Sequence, residues 1–159
     1  MKPWHWWALG ALAVGGIAVW NREAIMATLH FPWREIDPTG KGQKSAATKA
    51  NLEAIAWKLE TFRSMLGGIP LKVTPHGGFE PKDGFPDGYS RDSATTQHKA
   101  GKALDVYKPD GMSLADFHAA ARAFHKTYGG GLGLYDWGIH LDNGPTRGPW
   151  GSKKPDNVA

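Results

Sequence analysis

The sequence predicts an α+β fold in which helices pack on a small antiparallel sheet, preceded by an N-terminal hydrophobic helix. Three observations lead to that prediction. Residues 45–68 and 113–131 carry apolar side chains at helical spacing. Residues 101–108 and 132–142 hold short apolar runs next to glycines, which are typical of strands. Because these helices and strands follow one another in a short chain, we expect packed layers around one core.

The first helix candidate is the segment SAATKANLEAIAWKLETFRSMLGG, which begins at Ser45. Gly67 stands where glycine commonly closes a helix. The apolar residues recur every three or four positions and predict one buried face, formed by Leu52, Ile55, Ala56, Leu59, Phe62 and Leu66.

The second helix candidate begins after Ser113, a favoured N-cap residue, and Asp116 follows three positions later as in a capping box. His118 and His125 are spaced more widely than the i, i+4 pairs that bind zinc on helices, so we expect them to be surface or partly buried residues. The buried stripe is predicted to consist of Leu114, Phe117, Ala121 and Phe124.

Short strands are predicted around the second helix. The run IPLKVTP ends at Pro75, and LGLYDW with GIHLD can form a hairpin. Residues 76–97 read as a long loop and the chain from Asn143 as turn-rich. Strand alternation in GKALDVYK places Ala103, Asp105 and Tyr107 on one face and Leu104 and Val106 on the other.

Length and composition favour one compact domain. The 159 residues suffice for a single core, and we assign residues 45–150 to it and residues 151–159 to a tail. The 19 Lys and Arg residues are scattered along the chain, which argues against a nucleic-acid partner. Cysteine is absent, so any metal must be held by His, Asp or Glu. We expect a monomer.

The N-terminus reads as a membrane segment. Residues 4–20 form an apolar run with tryptophans at both ends, at the short limit of the about 17–25 residues that cross a bilayer as a helix. A retained signal anchor at residues 1–21 is favoured over a cleaved signal peptide, because a good cleavage site is missing. The segment also resembles releasable signal anchors of phage lysins. Residues 22–44 are predicted to be a linker.

Three residues are candidate metal ligands. His98 lies at the end of the long loop, Asp105 in the following strand and His140 in a later strand that can lie beside it. A catalytic zinc site takes three protein ligands and leaves a fourth position open. An aspartate within the apolar run Ala-Leu-Asp-Val costs free energy unless it is paired or metal-bound. A turn at Gly101 would bring the first two side chains together.

Two motifs carry a family resemblance. TQHKAGKALDV resembles the Ser-x-His-x-x-Gly-x-Ala-x-Asp signature of the M15 zinc peptidases, the D-alanyl-D-alanine carboxypeptidase and peptidoglycan endopeptidase group, with Thr96 in place of Ser. GGLGLYDWGIHLDNGP is similar to the family's Gly-x-Gly-x-Tyr segment and its His-x-Asp-x-Gly strand. The resemblance covers about residues 45–150. It implies the hedgehog and D-Ala-D-Ala peptidase type of fold, with zinc held by His98, Asp105 and His140.

The same resemblance leaves the general base open. Several relatives carry an acidic residue three positions before the last histidine ligand, where this chain has Trp137 and, one step earlier, Asp136. We take Asp136 as the catalytic candidate and Asp142 as its competitor, the latter more in keeping with a structural carboxylate that supports His140. The family's substrate-binding arginine is missing, and Arg91 is the nearest substitute.

The function that these motifs imply is zinc-dependent cleavage of peptide bonds in bacterial peptidoglycan, in a stem peptide or a crosslink. The N-terminal segment suggests a membrane-anchored or exported protein that faces the periplasm or cell wall, similar to an endolysin. The alternative is a non-catalytic zinc-binding or cell-wall-binding domain on the same fold. A membrane-anchored interaction domain without metal is the third hypothesis.

Overall fold

The computed structural model describes residues 28–79 and 97–151. The predicted membrane segment and Arg91 lie outside these ranges. None of the helices within them combines the length and apolar character that a membrane crossing requires. In chain order the elements are α1 (Trp33–Ile36), a 3-10 helix (Gly42–Lys44), α2 (Ala46–Met65), β1 (Ala103–Tyr107), α3 (Leu114–Tyr128), β2 (Gly131–Leu134), β3 (Gly138–Asp142) and β4 (Arg147–Trp150).

The α+β prediction is confirmed, but the sheet is mixed rather than antiparallel. Its four strands have the order β1-β3-β2-β4. Strand β3 pairs antiparallel with both β1 and β2, as the predicted hairpin requires. Strand β4, in the stretch expected to be turn-rich, pairs parallel with β2. Pro149 is accommodated there because an edge strand can leave one side of its backbone unpaired.

The predicted strand before Pro75 is reduced to a short contact with β1. Val73 forms an isolated antiparallel bridge with Val106. The backbone N–H of Tyr107 donates to the Lys72 carbonyl at 3.0 Å, and that of Thr74 to the Asp105 carbonyl at 2.8 Å. The segment therefore covers the outer edge of β1 without becoming a full strand.

One face of the sheet packs on α2 and α3 and forms the core. Phe62 of α2 is fully buried, with its ring centroid 5.7 Å from that of Phe117 and 5.0 Å from that of Phe124 on α3. Both helices lie within their predicted segments and end up to three residues earlier, before or at the closing glycines. The sheet contributes the fully or almost fully buried side chains Leu104, Val106, Leu132, Leu134, Ile139 and Leu141.

The start of α3 is the predicted capping box. The Ser113 hydroxyl accepts the backbone N–H of Asp116 at 3.1 Å and donates to its carboxylate at 2.6 Å. On the inner side of the helix, His118 is buried, with Nε2 3.3 Å from the carbonyl oxygen of Gly138. The expectation of a surface or partly buried residue is thus wrong for His118 but holds for the half-buried His125.

Part of the segment predicted to be a linker packs on the domain. Phe31 and Ile36 are fully buried and Trp33 is 6% exposed, and all three belong to the same core cluster as α2. Burial of these apolar side chains holds residues 31–36 against the domain.

Polar contacts fix the same segment to α2 through Glu60. Its carboxylate accepts hydrogen bonds from the Thr28 hydroxyl at 3.0 Å, the His30 backbone N–H at 2.8 Å and Arg63 Nε at 3.2 Å. Burial raises the pKa of Glu60, but the hydrogen bonds from His30, Arg63 and Thr28 outweigh it, so this pKa lies below its ordinary value of 4.5.

We expect this carboxylate to make stability depend on pH in the acid range. Because the folded-state pKa of Glu60 is depressed, its stabilisation is fully present above the unfolded-state pKa and is lost as pH falls through the folded value. The free energy of unfolding, measured in urea from pH 7 to pH 3, should therefore decline more steeply below pH 4.5 for the wild type than for Glu60→Gln.

Glu53→Gln is the matched control on the same helix. Among the described residues, Glu53 pairs with Lys49 alone, at the surface, and such exposed pairs contribute about 0.3–0.5 kcal/mol. The control should retain the wild-type pH profile. Identical profiles for wild type and Glu60→Gln would contradict the prediction.

Candidate metal centre

The face of the sheet opposite the core carries the polar residues. The strand register places Asp105 of β1 beside His140 of β3, His140 beside Gly133 of β2, and Gly133 beside Trp150 of β4. Directly paired residues point to the same face of a sheet. These four positions therefore form one row across all four strands, which we call the site row.

Three side-chain atoms converge at one end of the site row. His140 Nδ1 lies 2.8 Å from Asp105 Oδ1 and 3.2 Å from His98 Nε2, and His98 Nε2 lies 3.4 Å from Asp105 Oδ1. In a tetrahedral site with metal–ligand bonds of about 2.0–2.1 Å, the ligand atoms are about 3.3–3.4 Å apart. All three residues are at most 9% exposed. The structure thus brings the predicted ligands together in a group that could hold a metal ion.

A turn positions His98. The backbone N–H of Lys102 donates to Gln97 and that of Gly101 donates to His98 itself, with Gly101 in the left-handed region at a φ of 69°. His98 Nδ1 lies 3.0 Å from the Gly78 carbonyl. A carbonyl only accepts, so Nδ1 carries the proton and the Nε2 lone pair faces the other two ligands.

Asp142 fixes the orientation of His140. Its Oδ2 lies 3.2 Å from His140 Nε2, the ring nitrogen that does not face Asp105. Its Oδ1 accepts the backbone N–H groups of Gly131 at 2.8 Å and Gly144 at 2.7 Å, and Arg147 Nη2 donates to Oδ2 at 3.2 Å. Asp142 is fully buried. A carboxylate in this position typically fixes a metal-binding histidine and raises its basicity.

The electrostatics of the site favour a cation. Burial raises the pKa of Asp105, but hydrogen bonds from His140 and His98 outweigh it and leave that pKa well below its usual range. Burial lowers the pKa of His140, but Asp105 and Asp142 outweigh it and leave that pKa above its usual value. Each His140 nitrogen thus faces a carboxylate, and a metal cation bound at Nδ1 would take the place of a proton there.

Asp136, the predicted base, lies in the turn between β2 and β3. Tyr135 and Gly138 exchange backbone hydrogen bonds of 3.0 and 3.3 Å, which leaves Asp136 and Trp137 as a two-residue loop. The Asp136 side chain is exposed and is not one of the groups that converge on the triad. Its role as a base stays a prediction.

Trp150 is a neighbour of the site that the sequence analysis missed. The centroid of its indole ring lies 5.4 Å from that of the His140 ring, and the Arg147 guanidinium lies over the indole, 5.1 Å from its centroid. One signal was present, since Gly131 and Gly133 alternate along β2. Alternate glycines in a strand indicate that other groups lie close over that face.

Comparison with known proteins found no matching family model, no matching curated protein and no matching solved structure.

Proposed function

We propose that the chain is a zinc-dependent peptidase that cleaves peptide bonds of bacterial peptidoglycan. The observation that carries the proposal is the convergence of His98 Nε2, Asp105 Oδ1 and His140 Nδ1 within 3.4 Å of one another. Three ligands leave a fourth coordination position for water or substrate, as catalytic zinc sites require. Structural zinc sites instead take four protein ligands.

Zinc is a metal that this donor set suits. Two imidazole nitrogens and one carboxylate oxygen form a mixed, borderline-soft set that suits zinc and contrasts with the all-oxygen sets of calcium and magnesium. Asp142 supplies the outer carboxylate that commonly accompanies a zinc-bound histidine. The remaining negative charge of Asp105 stabilises a divalent cation between the two imidazoles.

The residues of the chain have separate tasks in the proposed reaction. His98, Asp105 and His140 would hold the metal, and Asp142 would keep His140 in the orientation that presents Nδ1. A metal held there would supply Lewis-acid chemistry, which polarises a scissile carbonyl and lowers the pKa of a bound water molecule to about 7. Asp136 is the candidate general base, which requires that substrate binding brings the hairpin turn towards the metal.

The substrate class follows from the two motifs around the ligands. Their resemblance to zinc peptidases of the peptidoglycan-cleaving family supports a stem peptide or crosslink as the target. Residues 4–20, as a membrane anchor or export segment, would bring the domain to the periplasm or cell wall, where this substrate lies.

A non-catalytic zinc-binding or cell-wall-binding domain is the second candidate. The exposure of Asp136 favours this non-catalytic role. The Asp142 carboxylate favours it as well, because it already accepts hydrogen bonds from His140, Arg147 and two backbone N–H groups. A carboxylate with all of these partners is poorly suited to accept a proton from water.

The full-length chain, purified in detergent and loaded with zinc, is expected to release soluble peptides or muropeptides from peptidoglycan sacculi. Mass spectrometry of the products should show cleavage that a chelator abolishes and added zinc restores. A zinc-loaded protein that leaves sacculi intact would contradict the peptidase proposal and favour the second candidate.

Asp136→Ala separates the two candidates further. A catalytic base predicts that turnover falls by about 10²–10⁴-fold with zinc still bound. Asp110→Ala, at another exposed loop carboxylate, is the control and should retain both turnover and zinc. Unchanged turnover in Asp136→Ala would assign the base to another residue.

A further inference from the structure

Four aromatic side chains are linked by contacts that begin at His140 of the triad. Trp150 lies against His140, and its Nε1–H donates to the Tyr135 hydroxyl at 3.1 Å. The Tyr135 ring is stacked on Trp137, with 5.0 Å between centroids and 4° between planes, and the Tyr107 ring meets Trp137 edge-on at 6.3 Å. We call this group the aromatic wall: Tyr107, Trp137, Tyr135 and Trp150.

Gly133 makes room for the wall beside the metal site. A Cβ atom at this position would lie 2.8 Å from Tyr135 Cε2, 3.1 Å from His140 Cβ and 3.1 Å from Trp150 Nε1. Gly133 belongs to the site row. Tyr135 follows it by two positions along the extended chain, so the Tyr135 side chain points to the same face of the sheet as the site row. The phenol therefore lies on the metal-site side of the sheet and is linked to His140 through Trp150.

The Tyr135 hydroxyl can donate a hydrogen bond. An indole N–H can only donate, so the bond from Trp150 uses a lone pair of the phenol oxygen. Within residues 28–79 and 97–151, no protein group accepts the hydroxyl proton. Stacking on Trp137 and the hydrogen bond from the Trp150 indole fix the position of the oxygen, and the hydroxyl proton remains available to an acceptor on a bound substrate.

We infer that Tyr135 is a catalytic residue that donates a hydrogen bond to the carbonyl oxygen of the scissile peptide bond. The inference deepens the proposed function and rests on it. As water attacks the carbonyl carbon, negative charge develops on this oxygen, and a fixed donor stabilises that charge more strongly than it stabilises the neutral carbonyl. The proton stays on the phenol throughout. Trp150 is a positioning residue, because it acts through the Tyr135 oxygen.

The inference predicts a loss in kcat rather than in KM. Removal of a single donor to a developing oxyanion typically lowers kcat by about 10²–10³-fold. Tyr135→Phe keeps the ring and its stack on Trp137, so the zinc content should equal that of the wild type, and loss of the hydrogen bond from Trp150 should lower the thermal midpoint only slightly. Trp150→Phe removes only the indole donor and keeps an aromatic ring, and we expect a smaller loss of about tenfold in kcat.

The test combines turnover with an affinity that does not depend on turnover. The zinc-loaded full-length variants are assayed on sacculi and titrated calorimetrically with a phosphinate analogue of D-alanyl-D-alanine, whose tetrahedral anionic group imitates the charge that develops on the carbonyl oxygen. Tyr135→Phe should bind this probe about 10–100-fold more weakly than the wild type. Tyr128→Phe is the matched control, since Tyr128 is exposed at the end of α3 and stacked on Phe124.

The possible results separate this inference from the proposed function. Wild-type turnover and probe affinity in Tyr135→Phe overturn the inference and leave the peptidase proposal intact. If the wild type binds the probe without cleaving sacculi, the peptidase proposal fails, and the affinity of Tyr135→Phe still decides whether the phenol contacts the anion. If the zinc-loaded wild type shows no cleavage of sacculi and no binding of the probe, both the peptidase proposal and the inference about Tyr135 are overturned.

Discussion

Asp105→Asn is expected to abolish the retention of zinc. The substitution keeps the shape of the side chain but removes the only negative charge among the three converging ligand atoms. A neutral amide oxygen between two imidazoles binds a divalent cation far more weakly than a carboxylate does. We expect a fall in zinc affinity of more than 100-fold, beyond the about 10–100-fold that is typical when a residue outside the ligand shell is changed.

Zinc-buffered dialysis followed by elemental analysis measures this loss. The wild type should retain about one zinc per chain, and Asp105→Asn much less under the same buffering. Asp110→Asn makes the same chemical change at an exposed loop position and should retain zinc as the wild type does. Wild-type zinc affinity in Asp105→Asn would place the metal, and with it the proposed function, elsewhere in the chain.

Asp142→Ala is expected to destabilise the fold and weaken zinc binding together. The carboxylate is fully buried and accepts from His140, Arg147 and the backbone of Gly131 and Gly144. Its removal leaves the Gly131 N–H without its acceptor and His140 without its second carboxylate. Breaking a buried charge pair from one side costs about 3–5 kcal/mol. Urea unfolding of the metal-free protein should show a loss of this size.

The zinc affinity of the same variant should fall by about 10–100-fold, because His140 loses the group that orients it. Asp142→Asn is the companion variant, since its amide oxygen still accepts from backbone N–H groups. We expect it to recover part of the stability and less of the zinc affinity. Equal stability for Asp142→Ala and the wild type would show that the network around this carboxylate contributes little.

Local patterns predicted much of the fold. Periodic apolar residues and the Ser113 cap located both long helices, because these signals are confined to a few neighbouring residues. The sheet was predicted less completely, since β4 contains Gly148 and Pro149, and only its pairing with the distant β2 makes it a strand. Propensity carries little information about such long-range pairing.

The candidate site also has a part that could be predicted from local sequence and a part that depends on the packed fold. His98, Asp105 and His140 were predicted from residue type, spacing and motif resemblance. The positions of Asp136 and Tyr135 depend instead on the tight turn and on the space above Gly133. These features follow from the packed sheet. Motif resemblance therefore predicted Asp136 as the catalytic group, whereas the role inferred for Tyr135 depends on the geometry of the folded sheet.

The site row has a consequence for how a folded molecule can be recognised. Alternate residues of β1 and β3 serve opposite layers, Asp105 and His140 on one side and Leu104 and Leu141 on the other. A shift of one residue in either strand would exchange the layers, placing a carboxylate or an imidazole among the phenylalanines and separating the ligands. Zinc uptake at full stoichiometry would thus report the correct strand register, and a misregistered molecule would be recognised by its failure to bind metal.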